Sequence, residues 1–528
     1  MKRPSLRTSA PLGLALLAAL TSCDLNRPRA GARTDTPLVR TLDFAAFDAQ
    51  GGLRAGKSAN LSLDAEPEYV AVSPDSREAY VTLQESNGLA VIDVLGGTVE
   101  AVRSLGLKDH RQAGQGLDAS DKDGGINIKT WPVYGAYMPD AVAAFSVGAR
   151  TYLITANEGD TRDSEGFTDE AKVADLKLDA AAFPDAAALQ KPGALGRLAV
   201  SRIDGDTDGD GDHDRLIAFG ARSASIWTAQ GELVADTGDL FERKTAELTP
   251  ATFNSGGTVS TFDTRSDNKG PEPEGVTVGV VGAKTFAFVG LERTGGVMVL
   301  DVSTPSAPAF VEYVSGVLDP QAEPKSGAAG DLGPEGLLWI PAQESPNGQP
   351  LLVVSNEVSG SVTVYAVSAA GRLSRTGRYQ AEPFAYDKGV AEITAYDPAS
   401  RRLFVVNGAT GGLDLLSLSD PARPTLLKSV DLSAYGAGAN SVAVQGGVVA
   451  LAVEAKVKTD AGQVVFLNSD GQPVAQPVTV GALPDMLTFT PDGAHLLVAG
   501  EGEPSSDYRV DPAGTVSIIN VQKALARK

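Results

Sequence analysis

The chain has 528 residues, a formal net charge of −21 and 21% charged residues. This composition is typical of a globular protein with a large core and excludes bulk disorder. A strongly acidic surface repels phosphate backbones, so we expect no nucleic-acid partner and favour cations or basic ligands.

The N-terminus has the pattern of a bacterial lipoprotein leader. The basic start MKRPSLR precedes the apolar run PLGLALLAAL, which is too short to span a membrane and leads into LTSC. We interpret residues 1–22 as a lipoprotein signal peptide, and Cys23, the only cysteine, as the lipidated residue that begins the mature chain. The alternative is a plain secretory signal with an incidental cysteine. Residues 23–37 would then form a flexible tether to the membrane, and we expect an exported monomer in the cell envelope, on its periplasmic or cell-surface side.

A repeated unit of short strands runs through the remaining chain. Its clearest copy, EPEYVAVSPDSREAYVTLQESNGLAVIDV at 66–94, contains a Pro-acid turn, a strand, an SPD turn and two further strands. Such strands, repeated several times, are typical of a β-propeller, in which neighbouring four-stranded blades bury each other's faces. We predict an all-β fold, a β-propeller over residues 38–524, with seven blades favoured over eight. The six further copies begin at Met138, Glu272, Gly333, Ala391, Asn440 and Leu483.

Some segments do not fit the repeat. Insertions at about 108–137 and 160–195 are interpreted as functional or mobile loops, the second with a helix over roughly Asp169–Ala180. The stretch SASIWTAQGELVADTGD, residues 223–239, is either extra strands of one blade or a degenerate eighth blade. PLVRTLDFAAFDA, residues 37–49, is expected to complete the last blade and close the ring.

The stretch GDTDGDGDHD, residues 205–214, has the spacing of a calcium loop. Aspartates alternate from Asp206, and a glycine at the sixth position allows a sharp turn, so the carboxylates can converge on one cation. An EF-hand needs glutamate at the twelfth position, which is Ile217, so the calcium β-hairpin loops of other propellers are the better comparison. We predict a structural Ca²⁺ site, and the alternative is a solvated acidic turn. The predicted ligands are Asp206, Asp208, Asp210, Asp212 and Asp214.

Acidic residues recur at two places in the repeat. In a propeller blade, the loop before the first strand and the loop after the second open on the same face, so we predict a double ring of carboxylates around one mouth of the channel. The first-strand acids are Glu68, Asp140, Glu274, Glu335, Glu392 and Asp485. The second-strand acids are Glu85, Glu158, Glu292, Glu357, Glu454 and Glu501. The alternative is turn chemistry, with the acids paired to Arg162, Arg222, Arg265, Lys269 and Arg293.

A second acidic cluster lies in the first insertion. Asp118, Asp121 and Asp123 occur in LDASDKDGG, near His110. They either supply ligands to another cation or form an Asx-rich turn.

Seven motifs in chain order resemble the choice-of-anchor I family. They are YVTLQESNGLAVIDV, GLDASDKDGGINIK, YLITANEGDTRD, DTDGDGDHD, FGARSASIW, RSDNKGPEPEGV and FVGLERTGGVMVLDV, and the resemblance covers roughly residues 66–520. The family comprises secreted bacterial propellers related to the mesenchyme-specific cell surface glycoprotein of animals. The resemblance implies a YVTN/WD40-like β-propeller at the cell surface or in the envelope, and little about mechanism. Members often carry a C-terminal anchor, and we expect the lipid on Cys23 to replace it.

No complete catalytic constellation can be named. G-x-S-x-G, H-E-x-x-H and Walker motifs do not occur, and the chain has three histidines. We therefore predict a calcium-stabilised binding or scaffold protein that holds an unidentified ligand or protein at the acidic mouth, where a second ion could also bind. The alternative is a metal-dependent hydrolase, a phytase-like phosphoesterase or a lactonase, whose ion clamps a phosphate or polarises a carbonyl. Its candidate residues are Glu158, Glu274, Arg162, Arg222, Lys269 and His110.

Overall fold

The structure, a computed structural model, describes residues 37–528 apart from positions 55, 59 and 165. The predicted signal peptide, Cys23 and the tether up to residue 36 lie outside the described residues. Among the residues that are described, no helix combines the length and apolar composition needed to cross a membrane.

Strands dominate the described chain. We number the seven four-stranded antiparallel sheets along the chain. In the first half of the chain, sheet 7 receives β1 (Val39–Leu42), and sheet 1 consists of β2 (Pro67–Val72), β3 (Glu78–Leu83), β4 (Gly88–Asp93) and β5 (Thr98–Ser104). Sheet 2 consists of β8 (Val142–Val147), β9 (Arg150–Asn157), β15 (Ser223–Thr228) and β16 (Leu233–Asp236). An insertion sheet contains β6 (Leu107–Asp109), β7 (Tyr134–Ala136), β12 (Glu170–Lys172), β13 (Ala199–Ser201) and β14 (Ile217–Ala218), and β10 (Asp163–Ser164) and β11 (Phe167–Thr168) form a short hairpin.

The second half of the chain forms the remaining sheets in order. These are β17 (Pro273–Val281), β18 (Lys284–Leu291), β19 (Val297–Asp301) and β20 (Ala309–Val314) in sheet 3; β21 (Pro334–Ile340), β22 (Leu351–Asn356), β23 (Ser361–Val367) and β24 (Leu373–Gln380) in sheet 4; β25 (Thr394–Asp397), β26 (Arg402–Asn407), β27 (Gly412–Ser417) and β28 (Thr425–Val430) in sheet 5; β29 (Gly438–Gln445), β30 (Val448–Glu454), β31 (Ala461–Asn468) and β32 (Val478–Ala482) in sheet 6; and β33 (Pro484–Phe489), β34 (His495–Gly500) and β35 (Thr515–Asn520) in sheet 7. The α-helices are α1 (Leu61–Asp64), α2 (Ala186–Leu189), α3 (Leu240–Leu248) and α4 (Val521–Leu525).

The first strands of the seven sheets surround a common axis. Each contacts the next along the chain, from β2 through β8, β17, β21, β25 and β29 to β33, and β33 contacts β2 again. The N-terminal β1 pairs with β35, Val39 opposite Ile519, so the two ends of the described chain share sheet 7, as expected from the sequence. The predicted all-β class and β-propeller architecture are confirmed.

The inner strands are apolar because each sheet is covered on both faces. β22 is buried along its whole length, and β26 is buried in all but its first residue, as stacking between neighbouring sheets requires. By contrast, the outermost strand of sheet 5, β28, is exposed at five of its six residues. Burial therefore decreases from the axis towards the rim of sheet 5.

Residues 223–239 do not form an additional blade. They supply β15 and β16, and β15 pairs with β9 from Ser223 opposite Asn157 to Thr228 opposite Tyr152. Sheet 2 is thus completed by strands that return after the second insertion.

The two insertions fold together rather than forming separate loops. Their strands make one five-stranded sheet in the order β12-β13-β14-β7-β6, and its core buries Trp131, Val173, Phe183 and Leu195. The predicted helix over Asp169–Ala180 is wrong. Burial of Val173 and pairing of β12 with β13 outweigh the helix-forming composition of that segment.

Candidate functional site

The first-strand acids lie where the first strands begin. In four sheets the acid is the second residue of the strand and follows a proline: Glu68 in β2, Glu274 in β17, Glu335 in β21 and Asp485 in β33. In all four, the pairing with the second strand shifts register just after the acid, and such bulges redirect side chains. Asp140 and Glu392 lie two residues before β8 and β25, and sheet 6 has Asn440 near the start of β29.

The residues before these four prolines, and Met138 before Pro139, share an unusual backbone conformation. Glu66, Met138, Glu272 and Leu483 have φ between 43° and 53°, and Gly333 has φ 69°. A residue before proline normally adopts an extended conformation, and residues other than glycine rarely have positive φ. Such a conformation costs on the order of 1–3 kcal/mol and persists only where the surroundings enforce it. Its recurrence indicates that the fold holds the acids in place.

Two glycines set the spacing between neighbouring acids. A Cβ on Gly275 would lie 2.1 Å from the carbonyl oxygen of Glu335, and one on Gly336 would lie 2.5 Å from that of Glu392. The PEG triplets of sheets 3 and 4 therefore reflect close packing of first strands, which brings successive acids next to each other.

The second-strand acids lie at the same end of the sheets. Glu158, Glu292, Glu357 and Glu501 directly follow β9, β18, β22 and β34, Glu85 lies two residues after β3, and Glu454 ends β30. Glu158 and Glu292 meet the first-strand acid Glu274, and one carboxylate oxygen from each of the three lies within 4.8 Å of the others.

A cavity of about 140 Å³ lies among the first strands. Its wall holds six acids together with Tyr69, Asn440 and Ser441, and none of its lining residues is a lysine or an arginine. The six acids are Glu68, Asp140, Glu274, Glu335, Asp485 and Glu501. Glu392 and Glu454 instead line a neighbouring surface cavity beside Gly408.

Glu68, Glu274 and Glu335 in this cavity lack compensating partners within the described chain. Burial, followed by the Glu292 and Glu158 carboxylates, raises the pKa of Glu274 well above its usual range. Burial raises the pKa of Asp485 to about 6. In the neighbouring cavity, burial with Glu357 and Asp485 raises the pKa of Glu392 to about 8. Within the described chain, the buried Oε2 atoms of Glu68, Glu274 and Glu335 have no hydrogen-bond partner. These acids must therefore take up protons or bind a cation.

The basic candidates for anion binding are each paired with an acid. Arg162 is buried and pairs with Glu66 at 2.9 Å. Arg222 is buried against Glu242 at 2.7 Å and also donates to three backbone carbonyls. Lys269 Nζ lies 2.5 Å from Glu158 Oε1. Each cation is thus already paired with a carboxylate.

His110 has a structural environment. Its Nδ1 lies 2.6 Å from the carbonyl oxygen of Gln115, and burial lowers the pKa of the ring to about 3. The ring is therefore neutral, and His110 is not among the residues that line the cavity of the six acids.

The sequence interpretation missed the glutamates that precede the prolines. Glu272 is 1% exposed, and its carboxylate receives Arg265, Lys269 at 3.5 Å and Arg293 at 3.6 Å. The sequence did carry a signal for these glutamates, because the triplet Glu-Pro-Glu occurs at the start of both sheet 1 and sheet 3. Glu66 and Glu272 organise the basic residues at the mouth.

A larger, open cavity of about 590 Å³ lies beside the channel. Five of its lining residues are acids, namely Glu66, Glu85, Asp160, Asp163 and Glu503. Its two basic residues are already paired, Arg162 with Glu66 and Lys458 with Glu503. Glu85 connects this cavity with the first-strand acids, because the Glu85 carboxylate helps to raise the pKa of Glu68.

The aspartate loop lies between β13 and β14 of the insertion sheet. One carboxylate oxygen each of Asp206, Asp208 and Asp210 lies within 4.8 Å of the others, a spacing that suits oxygen ligands of one Ca²⁺. Asp212 and Asp214 have protein partners, Lys177 Nζ at 2.9 Å and Thr207 N at 2.8 Å. Asp212 Oδ1 is nevertheless buried without a partner in the described chain. Three of the five predicted ligands therefore converge.

The second acidic cluster is satisfied by protein donors. Asp118 accepts from Asn127 N at 2.6 Å, Asp123 accepts from Asn127 Nδ2 at 2.9 Å, and Asp121 pairs with Arg197 at 2.6 Å. This geometry favours the turn interpretation over a cation site.

Comparison with known proteins places the chain in a family. Residues 28–305 and 392–527 match the choice-of-anchor I domain. The chain belongs to the choice-of-anchor I family. Among solved structures it is similar to U3-55K, with a TM-score of 0.45, 12% identity and coverage of 91% of this chain and 98% of that one. It is also similar to the β-propeller domain of Cps50 (Swd1) from Myceliophteria thermophila, with a TM-score of 0.44, 9% identity and coverage of 85% and 96%.

Two curated animal proteins are similar in sequence. Gigasin-3a of Magallana gigas is 34% identical over 190 residues, which are 34% of this chain and 66% of that protein. The mesenchyme-specific cell surface glycoprotein of Strongylocentrotus purpuratus is 26% identical over 277 residues, 45% of this chain and 35% of that protein. The chain thus spans just under two thirds and about one third of these relatives. The family and the cell-surface relative indicate an exported or surface protein.

We predict that Glu392→Gln weakens the pH dependence of the free energy of unfolding, measured in the presence of a metal chelator. Because burial raises the pKa of Glu392 from 4.5 to about 8, the folded chain binds this proton more tightly than the unfolded chain. Stability therefore falls as pH rises from about 4.5 through about 8, by at most about 1.4 kcal/mol per pH unit for one carboxyl. Denaturant unfolding at pH 6.5 to 8.5 measures the slope, and His110, which titrates with a pKa near 6.5 in the unfolded chain, contributes equally to both proteins. The wild type should show a steeper decrease than the variant. Exposed Glu344→Gln is the control, and equal slopes for wild type and Glu392→Gln would contradict the prediction.

Proposed function

We propose that this protein is an envelope-attached binding propeller that takes a positively charged ligand beside the mouth of its channel. The open cavity of about 590 Å³ supports this proposal most directly, because it falls within the size range of small-molecule sites. Its acids outnumber its basic side chains, and both basic side chains are already paired.

Glu85 and Asp160 are the residues best placed to receive the ligand. Glu85 Oε2 is buried and has no partner within the described residues, and the exposed Asp160 reaches Lys269 only at 3.8 Å. An ammonium or guanidinium group would relieve the repulsion between these carboxylates and the neighbouring Glu66. Low-dielectric walls around the cavity strengthen its attraction for cations.

The double variant Glu85→Gln/Asp160→Asn tests this proposal. With spermidine as the probe, we expect calorimetry in chelator to show binding to the wild type and about tenfold weaker binding to the variant, which corresponds to about 1.4 kcal/mol. Glu344→Gln should bind as the wild type does. Equal affinities for wild type and double variant, or equal binding of a tetraglutamate peptide, would contradict the proposal.

We further propose that the aspartate loop binds one structural Ca²⁺. The convergence of Asp206, Asp208 and Asp210 supports it, since three adjacent carboxylates repel one another without a cation. The ion would fix the connection between β13 and β14 and thereby order the insertion sheet.

Hydrogen exchange of the peptide covering residues 205–214 tests the loop site. We expect Ca²⁺ to slow exchange there by roughly tenfold in the wild type, because binding adds its free energy to local opening. Asp208→Asn should lose this protection, while Asp175→Asn, an exposed aspartate elsewhere in the insertion, should keep it. Protection that survives in Asp208→Asn would refute the site.

Membrane attachment through Cys23 remains a proposal from the sequence. A lipidated cysteine after a short apolar run would hold the propeller on a flexible tether. Expression in a bacterial host with labelled palmitate should label the wild type and leave Cys23→Ser unlabelled and released from membranes. Membrane retention of an unlabelled wild type would exclude this anchor.

A further inference from the structure

We infer that the channel binds a divalent cation of the size of Ca²⁺ where Glu274 meets Glu158 and Glu292. This inference rests on the proposed function, since the ion would occupy the same acidic mouth, but it concerns different residues from the open cavity.

The first support is the geometry of the three carboxylates. Their oxygens lie within 4.8 Å of one another. Ca²⁺ binds oxygen at 2.3–2.6 Å, so two oxygens on the same ion are at most about 5 Å apart. Small side-chain adjustments therefore suffice for one ion to contact all three acids, without rearrangement of the strands.

The second support is the state of the individual side chains. Glu274 Oε2 is buried with no hydrogen-bond partner among the described residues. Glu158 receives Lys269 Nζ at 2.5 Å and Gln84 Nε2 at 3.1 Å, and Glu292 receives Arg293 at 2.7 Å. These donors fix the orientation of Glu158 and Glu292, and each carboxylate oxygen retains a lone pair for a metal.

An independent observation comes from Ser441, which lines the same cavity of about 140 Å³ as Glu274. Ser441 is 1% exposed, its hydroxyl oxygen has no partner in the described chain, and the residue lines the cavity with the acids. A buried hydroxyl without a partner costs about 1–3 kcal/mol. A hydrated ion would supply the missing partner, because a cavity of about 140 Å³ has room for a cation and a few waters.

The net charge of the wall also has to be compensated. Six acids line the cavity, and no lysine or arginine is among its lining residues. Lys269 contacts Glu158, Asp160 and Glu272, all outside that wall. The remaining acids must share protons or a metal ion, and the convergence on Glu274 favours the metal.

Equilibrium dialysis with labelled calcium separates the two possibilities. We expect Glu274→Gln to bind about one Ca²⁺ per chain fewer than the wild type, and Asp208→Asn to lose a different ion, so that losses add in the double variant. Glu344→Gln should lose none. If the acids share protons instead, Glu274→Gln will bind as much calcium as the wild type, and the inference is wrong.

Two measurements guard against a variant that simply misfolds. In the presence of a chelator, Glu274→Gln should melt above the wild type, because the carboxyl group must either stay charged beside Glu158 and Glu292 or take up a proton, and an amide of the same size does neither. Tyr69 lines the cavity, so Tb³⁺ bound there should show tyrosine-sensitised emission that falls at least twofold in Tyr69→Phe with unchanged ion stoichiometry. Unchanged emission in both Tyr69→Phe and Glu274→Gln would overturn the inference.

The same variants distinguish this inference from the proposed function. If the wild type does not bind spermidine but Glu274→Gln still loses an ion, only the proposed ligand site is contradicted. If the wild type binds spermidine as proposed but Glu274→Gln keeps every ion, only the channel ion is contradicted.

Discussion

The close approach of first strands around the axis is the constraint on which the rest of the structure depends. Gly275 and Gly336 leave no room for a side chain between neighbouring strands. Acids that follow the prolines are therefore held side by side, although like charges in a low-dielectric cavity repel. Packing of the surrounding sheets has to hold them, and the left-handed residues before the prolines show that the backbone accepts strain to do so.

The compensation of this charge is uneven around the mouth. Near sheets 2 and 3, Lys269 and Arg293 pair with Glu158, Glu272 and Glu292. In the adjoining sheet 4, burial and the surrounding carboxylates raise the pKa of Glu335 well above its usual range, and no basic side chain of the described chain offsets this rise. Lysine and arginine side chains thus neutralise the acids near sheets 2 and 3, whereas Glu335 is left to bind a proton or a cation. Such a division suits a site that must stay negative enough to attract a ligand without unfolding.

The propeller and the positions of its acids could be predicted because both follow from local repetition. A Pro-acid pair before an apolar run fixes where Glu274 or Glu335 stands in its strand, whatever the rest of the chain does. The insertions could not be predicted in this way. Val173 belongs to a helix-forming sequence but is buried in one core with Trp131, which comes from the other insertion. Pairing of β15 with β9 likewise spans the whole second insertion, a separation that no repeat length reveals.

A single buried guanidinium joins the aspartate loop to the channel mouth. Arg54 contacts Asp204 at 2.7 Å, directly before the loop, and Asp169 at 2.8 Å. It also donates to the backbone carbonyl of Glu85 at 3.0 Å. Removing either partner would leave a buried charge without full compensation, which is more costly than losing a surface pair. Arg54 therefore connects the start of the aspartate loop directly to the backbone of Glu85. An ion that rigidified the loop would act on the mouth through Arg54, without any contact of its own there.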